Sequence, residues 1–181
     1  VLAVTVGLFW YFLLLYTGED WDYFYSTLAI DYHGWATEGR PPLWSYPFCA
    51  GASRIADPQA FGVSPAFVLV LLFGPVWGAK ALALLFSVAG FVFLRKTLLL
   101  ILESDAEEAG VTATVLSGVF VTGGYMLWRI VAGHLTFFLG YLVLGLQYYA
   151  FRAMRGPLAR RDWLGIAVLG WVYYTGGVYH S

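Results

Sequence analysis

Three carboxylates, Glu19, Asp20 and Asp22, stand within four residues of one another, directly after an uncharged apolar run that opens the chain. Acids held at the edge of an apolar segment are costly unless they are solvated, paired or used. Used, they act as a general base or as ligands for a divalent cation. Solvated, they complement the positive end of a helix that follows. Far along the chain, Arg129 and His134 flank a turn between two uncharged runs, and His180 follows Thr175-Gly176-Gly177. A guanidinium at such a position can clamp a phosphate, reach ordinary lipid head groups or close an internal ion pair. Each imidazole can donate to an anion or make a structural hydrogen bond. Arg40 and Arg54 are loop cations that can meet sugar or phosphate, or pack the loop against Asp57 or Glu38. The single Cys49 cannot form an internal disulfide and matches no metal spacing.

The elements that must hold these groups are built for lipid. The chain has 181 residues, 60% hydrophobic and only 12% charged, against roughly 25% charged in an ordinary soluble domain. A mean hydropathy of +0.72 asks for more buried surface than a core of this size provides. Net charge is -1 with a pI of about 6.3, so no basic field exists to hold nucleic acid. A start at Val1 and an end inside an apolar run at Ser181 give the expectation of a piece of a longer protein. Internal repeats and low-complexity tracts are absent.

A helix needs roughly 20 mostly apolar residues to cross a bilayer. That length predicts an all-α, polytopic bundle of about five spans, at residues 1–17, 79–96, 109–128, 135–151 and 163–181. The second is the shortest uncharged run, and Lys80, Arg95 and Lys96 at its ends can snorkel. Residues 65–77 are apolar but broken by Gly74-Pro75, which predicts an interfacial or re-entrant piece. Arg95 and Lys96 after the second span, and Arg152, Arg155, Arg160 and Arg161 after the fourth, place those loops in the cytoplasm. Alternation then puts the long loop 18–64, the turn from Arg129 to His134 and the end of the fifth span outside. The acidic run Glu103, Asp105, Glu107 and Glu108 falls inside as a solvated loop.

Within the long loop, Trp21, Phe24, Tyr25, Leu28, Tyr32 and Trp35 recur at helical spacing, with Asp22, Ser26 and His33 opposite. This predicts an amphipathic helix in the outer interface, an anchor whose aromatics can also line a pocket for a sugar or lipid head group. Pro41-Pro42 and Asp57-Pro58 read as corners of an ordered loop.

Gly39-Arg40-Pro41-Pro42-Leu43-Trp44, then Phe48, Gly51, Ala56-Asp57-Pro58-Gln59 and Pro65, resemble the first outer loop of YfhO-like bacterial membrane glycosyltransferases, members of the GT-C superfamily. The likeness extends to Gly18-Glu19-Asp20, Leu94-Arg95-Lys96, Gly133-His134-Leu135-Thr136-Phe137 and Gly176-Gly177. Ser45 follows Trp44 where the family commonly has Asn. The resemblance implies transfer of a sugar from an undecaprenyl- or dolichyl-phosphate carrier to a glycan, lipid or protein acceptor outside the cytoplasmic membrane. It implies Asp20 as base, with Glu19 and Asp22 as near substitutes, and Arg129, His134, His180 and Arg40 around the donor phosphate. The lipid-phosphate-linked sugar is then the donor, no further cofactor is required, and a divalent cation is left open.

Three rivals have their own residues. An accessory membrane subunit without catalysis, lipid- or pigment-binding, would use Gly118, Gly123, Gly124, Gly140 and Gly145 as helix contacts. A haem or pigment protein would use His134 and His180 as axial ligands. A transporter would want ionisable groups near the bilayer midplane, whereas here they gather at the ends.

Overall fold

The computed structural model describes Gly7, Trp10, Tyr11 and residues 20–45, 51–54, 60–102 and 107–176. The expectations for Glu19, Asp57, His180 and most of span 1–17 lie outside the described residues. The described chain is mostly helical, joined by one two-residue antiparallel pairing of β1, Trp44–Ser45, with β2, Ala52–Ser53.

Helix α1, Trp21–Glu38, starts after Asp20 and stops at Gly39, whose left-handed φ of 67° turns the chain and lets its N–H cap Trp35 O at 3.2 Å. Its buried face runs through Trp21, Phe24, Thr27, Leu28, Asp31 and Gly34, with Tyr25, Tyr32 and Trp35 packed at the margins. Asp22, Ser26 and His33 are exposed, as helical spacing requires. The interfacial anchor expected here is corrected in one respect. The aromatic face is covered by protein rather than by lipid, since Trp21 is fully buried and joins Phe67, Leu82, Phe86 and Phe138 in the core.

A 3-10 turn, Pro65–Phe67, capped by Ser64 Oγ on Ala66 N at 3.4 Å, leads into α2, Val68–Leu102. Gly74 interrupts this helix with φ 78° and ψ 170°, and Pro75 follows. A Cβ on Gly78 would run into Val70 Cα, so the arm Val68–Phe73 doubles back on the helix beyond Pro75. The expected span 79–96 lies within this longer helix. Arg95 and Lys96 are carried inside the helix, which the apolar residues Leu98 to Leu102 extend. Lys80 does not snorkel. It is 4% exposed, with its ammonium 5.5 Å from the Trp77 ring centre.

Helix α3, Glu107–Val121, returns alongside α2, and Arg95 Nε donates to Thr114 Oγ1 at 2.9 Å between them. The expected span 109–128 falls within Glu107–Val131, where the helix itself is interrupted. Thr122 Oγ1 bonds back to Gly118 O at 2.8 Å, and Gly123 turns extended before α4, Gly124–Val131. A second 3-10 turn, Leu135–Leu139, opens α5, Gly140–Met154, and α6 is Arg160–Thr175. The Asp162 carboxylate caps the start of α6 by accepting from Ala159 N at 2.8 Å.

Close contacts fix the relative directions. Tyr141 packs on Gly90, and Lys96 lies 5.7 Å from the Tyr148 ring centre, so α5 runs parallel to α2. Tyr149 meets Gly165 and Leu139 meets Gly176, so α6 runs antiparallel to α5. The Tyr141 hydroxyl donates to Val121 O at 2.7 Å, bringing the end of α3 level with the start of α5. One end of the bundle thus gathers α1, α4, both 3-10 turns and the close of α6. Arg95, Lys96, Arg152, Arg155, Arg160 and Arg161 belong to the other end.

Two stretches, Pro65–Leu102 and Glu107–Val131, are long and apolar enough to cross a membrane, with 33% and 22% of their most apolar parts buried. Leu72, Phe73, Trp77, Val111, Val119 and Phe120 are among the large side chains they expose. Of the glycines expected at helix contacts, Gly145 meets Phe93 and Leu169, whereas Gly124 and Gly140 face open space.

Candidate functional site

The first turn of α1 is pinned to the turn that follows α4. Trp21 Nε1 donates to Ile130 O at 2.7 Å, and Asp20 N donates to Ala132 O at 3.1 Å. Between them Gly133, at φ 76°, brings backbone against backbone. A Cβ there would strike Trp21 N and lie 2.9 Å from Asp20 C. His134 N then donates to Arg129 O at 3.0 Å, closing the turn that presents both side chains. Replacing Trp21 with Phe takes the indole N–H away from Ile130 O, which keeps the Gly133 N–H at 3.1 Å, and leaves part of a fully buried volume unfilled. The expected cost is about 1–3 kcal/mol, read as a lowered thermal midpoint in detergent.

These backbone contacts align three ionisable groups. His134 Nε2 is 2.8 Å from Asp20 Oδ2, and Arg129 Nη1 is 2.7 Å from His134 Nδ1. Arginine only donates, so in this arrangement Nδ1 accepts and Nε2–H donates to the carboxylate. Arg129 Nη2 donates to the Tyr125 hydroxyl at 3.2 Å. The guanidinium also lies 3.8 Å from the Phe137 ring centre and 4.9 Å from that of Tyr125. Its Nε is buried without a hydrogen-bond partner among the described residues. A cavity of about 380 Å³ opens beside this row, walled by Asp20, Arg129 and His134 and by Tyr23, Phe24, Thr136 and Phe137.

Asp20, Arg129 and His134 are thus brought together across more than a hundred residues of sequence. Asp22 is not among the groups lining the cavity. Its charge, after burial as the larger cause, pushes the neighbouring Tyr25 phenol up to about 12, so Tyr25 stays protonated at neutral pH. Arg40 also stands apart, paired with Glu38 at 3.1 Å with both side chains well exposed. Among the described residues no three His, Cys, Asp or Glu side chains gather around a metal-sized space. Both ring nitrogens of His134 are bonded, which leaves neither to serve as an axial ligand in this arrangement.

No family model, curated protein or solved structure matches the chain.

Sequence reasoning passed over Tyr125 and Phe137 as partners of Arg129. Tyr125 lies four residues before Arg129 and hence on the same helical face, a signal that was available. The loop held a second surprise. For Arg54 the expected partner Asp57 lies outside the described residues, and Glu38 is paired with Arg40. Arg54 grips Asp31 with Nε to Oδ1 at 3.0 Å and Nη2 to Oδ2 at 2.8 Å, and the two side chains are only 3% and 2% exposed. Asp31 falls on the face of Trp21, Phe24 and Leu28, and an acid on an apolar face needs a buried cation.

Proposed function

We propose that this chain belongs to a multi-pass membrane glycosyltransferase of GT-C type, moving a sugar from a polyprenyl-phosphate carrier to an extracytoplasmic glycan, lipid or protein acceptor. The observation that carries this reading is the row Asp20, His134 and Arg129 beside one cavity, at the bundle end opposite the Arg and Lys cluster. The positive-inside rule turns that basic end toward the cytoplasm and the site outward, in the cytoplasmic membrane. The exposed apolar flanks of α2 and α3 favour lipid as their solvent. The 3-10 turn and α5 together rise roughly 30 Å, enough for a further crossing, and five crossings remain the proposal.

Chemically, the reaction wants a base for the attacking hydroxyl and a cation for the departing phosphate. Asp20 supplies the first and Arg129 the second. Among the described residues its partners are an imidazole, a phenol and two ring faces, none of them an anion, which leaves its charge for a phosphate. A second reading, an accessory subunit that keeps the scaffold without catalysis, draws on the same row as a tether between α1 and the turn after α4.

The two separate in a transfer assay with polyprenyl-phosphate sugars on purified protein in nanodiscs. Asp20→Asn is expected to lower turnover by about 100-fold or more while the thermal midpoint holds. Equal turnover by the variant removes Asp20 from catalysis. Absence of turnover in the wild type moves the reading to the accessory subunit.

A further inference from the structure

Resting on the glycosyl-transfer reading, we infer that His134 is a directional connector between the phosphate-binding cation and the base. It is a positioning residue, acting through Asp20. Arg129 holds the imidazole as its Nε2–H form by donating to Nδ1, and Nε2–H in turn holds Asp20 Oδ2. The carboxylate is thereby fixed in rotation, and Oδ1 is left without a partner among the described residues. Oδ1 is the oxygen that faces the reaction.

The step then balances on this chain's own groups. The acceptor hydroxyl oxygen bonds to the anomeric carbon, and the bond from that carbon to the carrier phosphate breaks with its electron pair kept by the phosphate oxygen. The hydroxyl proton passes to Asp20 Oδ1, and the Arg129 guanidinium in the cavity wall meets the charge that grows on the phosphate. Occupancy at Arg129 and orientation at Asp20 are joined by one ring whose two nitrogens must play opposite roles. An imidazole does this only in one tautomer, and Arg129 selects it.

Glutamine offers the same pair of roles, an amide oxygen to accept from Arg129 and an amide N–H to donate to Asp20. His134→Gln is therefore expected to restore most of the turnover that His134→Ala loses. The Ala loss is expected at about 100-fold in kcat, with the KM for donor changed far less, since a freely rotating carboxylate is misplaced rather than absent. Equal loss in Gln and Ala makes the imidazole itself the proton acceptor and overturns the connector. Full activity in Ala overturns it as well.

A second measurement is independent of turnover. In nanodiscs, ¹⁵N-histidine spectra of the wild type, assigned with His134→Gln, are expected to show His134 protonated at Nε2 and bare at Nδ1. An Nδ1–H ring or an imidazolium at neutral pH overturns the proposal whatever the transfer assay gives. If the wild type transfers no sugar but the ring is Nε2–H, the glycosyl-transfer reading fails while the tautomer lock stands.

Discussion

Gly133→Ala is expected to loosen the rim of the bundle and abolish the site built on it. Two independent costs meet at this residue. Its φ of 76° lies in the left-handed region, which costs an alanine roughly 1–2 kcal/mol. The added Cβ also collides with backbone atoms of Trp21 and Asp20 rather than with a side chain, so no rotamer change relieves it. The first turn of α1 must move outward, stretching Asp20 N to Ala132 O and Trp21 Nε1 to Ile130 O together. Asp20 then leaves His134, and a displacement of about 1 Å at such a contact can cost 100-fold in rate.

The matched control is Gly170→Ala, inside α6 with open space around it, where helix propensity predicts a gain of about 0.5–1 kcal/mol. Thermal midpoints in detergent and sugar transfer in nanodiscs check both variants. Unchanged midpoint and transfer in Gly133→Ala would mean that the approach of α1 to the turn is not what assembles the site.

What the sequence made legible follows from where its signals are local. The helical spacing of Trp21, Phe24 and Leu28 is a short-range pattern, and it produced a helix with that face buried. It could not say whether the cover was lipid or protein, because both accept the same side chains. The Gly74-Pro75 break was readable for the same reason, whereas the break at Gly123 was not. Hydropathy over Glu107–Val131 stays high across it, and the cause is the return bond of Thr122 to Gly118 with an extended glycine. At the site, Asp20, Arg129 and His134 stood out because charge at the edge of apolar runs is rare. Their alignment depends on contacts such as Trp21 with Ile130, which no periodicity encodes. Asp22 shows the limit. It has the same chemistry two residues from Asp20, yet it belongs to the exposed face of α1 rather than the cavity.

The largest loss of stability is expected at the buried pair in the loop. Arg54→Ala leaves the Asp31 carboxylate, 2% exposed, without the guanidinium that satisfies both of its oxygens. Removing one partner of such a pair costs about 3–5 kcal/mol, because the surviving charge remains buried. The damage concentrates where the pair acts. Arg54 N also donates to Leu43 O at 3.0 Å beside the β1–β2 pairing, and Trp35 Nε1 holds Gly62 O at 2.7 Å from the same helix. The described residues 39–45, 51–54 and 60–64 are seated on α1 by these bonds, with the ion pair among them. Proteolysis there should therefore accelerate in Arg54→Ala before the bundle itself melts. Raised salt should leave the wild-type protection unchanged, since a pair this buried is little screened. The double variant Asp31→Leu with Arg54→Met removes both charges together and is expected to be less destabilised than either single charge deletion. If Arg54→Ala keeps its midpoint and protease resistance, the loop is held by its backbone bonds alone, and the ion pair follows the fold rather than securing it.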